Sequence, residues 1–166
     1  MKAFFTAALL SAAALPAVAQ DLQDYGEAGG WYIAIDPSLN NGCLMMSEFE
    51  DNSVVRIGFD MTTGGGYVLS ANPSWNDIEE GKSYPITISL DGKPFNGEAV
   101  GTTIDGLPAA DVVFDTPDLL PAMMGAQALS LAHDGNEVML IDLSGATEAV
   151  MKMIECQDAQ IAQQGG

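Results

Sequence analysis

The chain has 166 residues, with 23 acidic against five basic side chains and a net charge of −18. That length makes one domain with room for a real core. The charge excludes a nucleic-acid or anionic-lipid surface, because both are bound through Lys and Arg; it leaves a basic protein, an envelope component or a cation as complementary partners, or solubility alone, since the acids are scattered.

Residues 1–19 read MKAFFTAALLSAAALPAVA. Lys2 is a positive n-region, Ala3 to Leu15 an apolar run, and Ala17-Val18-Ala19 a small-x-small cleavage site, the pattern of a cleaved secretory signal. A bilayer span takes roughly 20 apolar residues, so this run is too short to be one. Cleavage removes Lys2 and no acid. Arg56, Lys82, Lys93 and Lys152 then stand against 23 acids, for −19. The mature protein is expected to be secreted or periplasmic, without membrane insertion, and monomeric.

Residues 20–29 are polar and glycine-containing and read as a flexible arm. A single domain is expected over 30–160. Its strand signals are Gly30–Asp36, Cys43–Phe49, Ser53–Asp60, Tyr67–Ala71, Ser83–Leu90, Phe95–Ile104 and Asp111–Phe114. Asp51-Asn52 and Asp91-Gly92 suit tight hairpin turns. Thr116-Pro117-Asp118 suits the start of a short helix over 117–125, closed by Gly125. Ala128–Leu131 leads to the turn His133-Asp134-Gly135-Asn136, and Glu137–Leu143 is a further strand. Ser144 can cap a last helix from about Gly145 to about Ile161, with Ala146, Ala149, Val150, Met153 and Cys156 along one side. Residues 161–166 read as a frayed tail. About eight short strands and two helices predict a mainly β fold, an antiparallel β-sandwich or a barrel-like domain.

Cys43 and Cys156 both lie in the exported part. Two thiols in an oxidising compartment pair as a rule, and a disulfide is expected. Free thiols or a metal pair are the alternatives. With no CxxC spacing and a single histidine, the usual metal ligands are missing.

No catalytic motif, cofactor site or metal site stands out. His133 beside Asp134 is not a dyad, because adjacent side chains diverge, and no GxSxG occurs. Glu79-Glu80 near Trp75 is the place to look for a carboxylate-based glycosidase, although 23 acids supply a pair at any distance. The acid-rich stretch from Asp105 to Asp118 lacks a calcium-loop pattern. Gly64-Gly65-Gly66 lacks the Lys-Ser/Thr of a phosphate loop and reads as a hairpin connection. Met45-Met46 and Met123-Met124 could ligate Cu(I), but they fall on core positions and read as packing.

The segment EVMLIDLSGATEAVMKMIEC resembles the end of the invasion-associated locus B family of exported alphaproteobacterial proteins. Gly30-Trp31-Tyr32, Gly42-Cys43 and SVVRIGFD resemble its earlier strands. The resemblance implies a periplasmic β-rich fold in a Gram-negative bacterium, without established enzymatic activity and without catalytic residues to transfer. The expected function is a non-catalytic binding protein. The alternatives are an acidic inhibitor of a basic hydrolase such as lysozyme, or a carboxylate-based glycosidase.

Overall fold

A computed structural model describes residues 21–164. The expected leader, residues 1–19, lies outside the described residues. Ten strands form one sheet: β1 (Gln23–Ala28), β2 (Trp31–Asp36), β3 (Gly42–Glu48), β4 (Val54–Asp60), β5 (Gly65–Ala71), β6 (Ser83–Leu90), β7 (Lys93–Ile104), β8 (Leu107–Phe114), β9 (Ala128–His133) and β10 (Asn136–Asp142). Two helices accompany them, α1 (Leu119–Ala122) and α2 (Ala146–Gln164).

Every neighbouring pair is antiparallel, in the order β1-β2-β3-β4-β5-β8-β7-β6-β9-β10. The expected mainly β, antiparallel fold with a short and a C-terminal helix is what forms, as one open sheet with more strands than eight. Alternation turns Trp31, Met45, Ile57, Val68, Val112, Leu129 and Ile141 to one face, and all belong to one core. The sheet curls around that core, so that edge strand β10 faces the β3–β4 turn across a groove.

Three hairpins share one turn chemistry. Asp91-Gly92, Asp105-Gly106 and Asp134-Gly135 each hold both residues at positive φ. That is the two-residue turn whose twist matches the strands, and the glycine carries no Cβ to strain it.

The sequence reading differs from the structure in five places. The polar stretch read as an arm is strand β1. Its own side chains are largely exposed, and pairing with β2 holds it. Ala128–His133 is strand β9, inserted between β6 and β10; only Leu129 and Leu131 are buried, too brief an alternation to stand out. The short helix is a single turn starting at Leu119. Thr116 Oγ1 donates to Asp118 Oδ2 at 2.9 Å instead of capping it. Ser144 does not cap α2 with its hydroxyl, which donates to Asp142 Oδ1 at 2.7 Å. Helix α2 also runs past the expected tail boundary to Gln164.

Helix α2 packs on β1, β2 and β3. Its buried side is Ala146, Ala149, Val150, Met153, Cys156 and Gln157, the expected stripe with one polar member. Cys156 forms the expected disulfide with Cys43, Cα–Cα 6.1 Å across 113 positions. The Cys43 backbone N–H donates to Gln157 Oε1 at 2.8 Å beside it. Among the described residues no helix is long and apolar enough to cross a membrane.

Candidate functional site

The outer face of the sheet holds the most perturbed chemistry. Strand alternation that sends Val55 and Ile57 inward sends Arg56 and Asp60 outward. Register then places Leu69 beside both Arg56 and Asp111, and Tyr67 between Gly58 and Val113. A Cβ at Gly58 would stand 2.7 Å from that of Leu44, so a side chain is excluded there. The result is a recess of about 200 Å³, with Tyr67, Asp36, Asp60, Asp111 and Arg56 in its walls.

Its carboxylates differ in their partners. Asp36 accepts from Ser38 N at 2.8 Å and caps the turn Pro37–Leu39. Asp60 accepts from Thr62 N at 2.8 Å. Burial pushes the Asp60 carboxyl up, but the Thr62 and Thr63 donors outweigh it and hold it below the usual range. Asp111 has no such donors: its Oδ1 is buried and makes no hydrogen bond. Burial, then the charge of Asp60, pushes its carboxyl up to about 6. Arg56 Nη2 reaches out to Asp105 Oδ2 at 3.2 Å, leaving its buried Nε without a partner. Tyr67 is 5% exposed, and burial, then the Asp36 charge, holds its phenol above the ordinary range.

Asp111 ionises near 6 in the folded chain, above the ordinary carboxylate value of about 4 that the unfolded chain keeps. Between those values folding takes up a proton, so this group's contribution falls as pH rises. Asp111→Asn removes that fall. The Tm advantage of the variant over the parent is expected to grow from pH about 4 to about 6.5 and then level off. An advantage that shrinks across this window contradicts the assignment.

A second feature is the groove between the β3–β4 turn and β10, about 550 Å³ in volume. Glu50, Asp51 and Glu137 line it, without a basic residue among the lining side chains. Ser53 donors hold the Asp51 carboxyl below its usual range. Inward Met139 and Ile141 are buried, while Val138 and Leu140 are 38% and 60% exposed. β10 ends the sheet, so one side of its backbone has no strand partner. A bulge between Glu137 and Met139 interrupts its pairing with β9.

A third, mostly apolar pocket of about 390 Å³ has Trp75, Tyr84 and His133 in its walls. Neither Glu79 nor Glu80 lines it. Glu79 is turned to Lys82, and its backbone N–H donates to the Tyr84 hydroxyl at 2.8 Å. His133 stands at the end of β9, not in the turn. Its Nδ1 donates to Pro85 O at 2.7 Å, and its ring meets Tyr84 edge-on. The acids from Asp105 to Asp118 spread along a hairpin, and only Asp111 lines the recess. Gly64 is in the β4–β5 turn, as expected of a hairpin connection, while Gly65 and Gly66 open β5. Met45 and Met123 are fully buried in the core, Met46 is partly buried and Met124 exposed.

No protein-family model and no curated protein sequence matches the chain. Among solved structures, the crystal structure of invasion associated protein B from Bartonella henselae is similar, with a TM-score of 0.54. The identity is 16%, over 84% of this chain and 99% of that one. The likeness is one of fold.

Proposed function

We propose that the chain is a non-catalytic binding protein of the invasion-associated locus B type, periplasmic or secreted in a Gram-negative bacterium, that holds an extended basic segment of a partner protein. The groove beside β10 carries this reading: three carboxylates, no cation in its lining, two exposed apolar side chains and a free strand edge. A peptide alternating lysine with valine satisfies all four, its backbone on the free edge and its charges among the acids. The same surface suits an inhibitor of a basic hydrolase. The disulfide and the fold likeness support export.

The mature chain is passed over an immobilised Lys-Val repeat peptide and over immobilised lysozyme. Retention at low salt and release as salt rises are expected. Exchanging Glu50 and Glu137 for lysine is expected to weaken retention about tenfold, because like charges then face each other. Retention by neither matrix, or undiminished retention of the exchanged variant, overturns the reading.

A carboxylate-based hydrolase is the competing reading. Asp60 and Asp111, held apart in acidity within one recess, favour it. Turnover of peptidoglycan or simple glycosides that Asp60→Asn and Asp111→Asn both abolish decides for it.

A further inference from the structure

We propose that the recess beside Tyr67 is a binding site for an alkylammonium group, supplied by a lysine side chain of a basic partner. The proposal rests on the basic-partner reading and names a second point of contact, distinct from the β10 groove.

Three groups in the recess lack protein partners: the buried Arg56 Nε, a donor, and two oxygens, those of Asp111 and Tyr67. Asp111 Oδ1 is buried without a donor, a placement that costs free energy unless something outside the chain satisfies it. The Tyr67 hydroxyl makes no hydrogen bond among the described residues, although the side chain is 5% exposed and lines the recess. The charges around them call for a cation. Asp36, Asp60 and Asp111 share the recess with one guanidinium, and that guanidinium is drawn outward by a fourth carboxylate, Asp105. The acidity of Asp111 responds to burial and to the Asp60 charge, with no cation offsetting either.

Shape selects the kind of cation. Leu39, Leu69 and Val113 give the recess apolar wall, and its volume of about 200 Å³ admits a butyl stem. A bare metal ion would leave those walls wet. Among the described residues no three acidic, histidine or cysteine side chains stand close enough to hold one. An ammonium on a flexible hydrocarbon chain buries its stem and puts three N–H donors beside Asp111, Asp60 and the Tyr67 oxygen.

The test titrates n-butylammonium chloride into the carbon-13-labelled mature chain, with sodium chloride at equal ionic strength as control. NMR follows the Asp111 carboxyl carbon and the Tyr67 ring. Saturable shifts confined to the recess are expected, with Asp111 ionising at lower pH when the amine is present. Asp111→Asn is expected to weaken binding about tenfold, and Asp111→Glu to restore part of it. Shifts that Asp111→Asn leaves unchanged overturn the proposal, as does stronger binding of calcium chloride than of the amine. A silent recess in a chain still retained by the Lys-Val peptide overturns this proposal and leaves the groove reading standing.

Discussion

Reducing the Cys43–Cys156 bond lowers the melting temperature by roughly 10–20 °C, the shift that about 4–5 kcal/mol produces in a domain of this size. The magnitude comes from the loop. The two cysteines are 113 positions apart, and in the chain-entropy model closing so long a loop removes much of the unfolded chain's freedom. Both cysteines are fully buried. The bond also fixes the middle of α2 against β3, where the Gln157 side chain satisfies the Cys43 backbone N–H. Without it α2 keeps its packing on the first three strands and the hydrogen bonds of Gln157 and Glu155 to them. Thermal melts with and without reductant, paired with intact-mass measurement, check this. Two thiols appearing only after reduction, together with the drop in Tm, is the expected outcome. An unchanged Tm after complete reduction shows that the helix does not need the bond.

The second large effect is at Trp31. It is 3% exposed at the start of β2, and its Nε1 donates to Ser144 O at 3.2 Å, just before α2. Backbone presses on backbone next to it: a Cβ on Gly29 would collide with the Gly145 carbonyl, and one on Gly145 with that of Gly29. Both glycines are at positive φ, 59° and 73°. The hairpin before β2 and the loop before α2 therefore fit against each other with no room for side chains. Trp31→Ala empties the largest side chain from this joint and is expected to cost about 3–5 kcal/mol. Trp31→Phe keeps most of the bulk and loses the hydrogen bond, for about 1 kcal/mol. Chemical denaturation of both variants measures the difference. Equal losses in the two would mean that the hydrogen bond, and not the packing, holds the joint.

The strands that bury a full alternation were legible in sequence. Val55, Ile57 and Phe59 in β4, and Ile86, Ile88 and Leu90 in β6, repeat every second residue because the curled sheet buries one face. Strand β1 was not legible, because QDYGEA carries no apolar alternation and is ordered by the hydrogen bonds of β2. The cysteine pair was legible from the leader and the compartment it implies, not from local pattern. The recess was hidden for a different reason. Arg56, Asp60, Tyr67 and Asp111 lie on three strands, and β5 pairs with β8 only after β6 and β7 have run away and returned. Nothing in sequence spacing announces that return. The one local sign was Asp111 itself, an acid at the head of Val112-Val113-Phe114 where a buried strand would have another apolar residue.

The closing helix also sets an order of events. Trp31 with Ser144, and Cys43 with Cys156 and Gln157, join the first strands made to the last segment made. Contacts so distant in sequence form slowly, because closure must be reached before they contribute. A chain threaded N-terminus first through a pore therefore cannot finish folding until residues 146–164 are through. Until then the apolar side of β2 and β3 lacks the cover that α2 gives it. Completion of this fold therefore waits on the last segment of the chain, whichever end of the process supplies it.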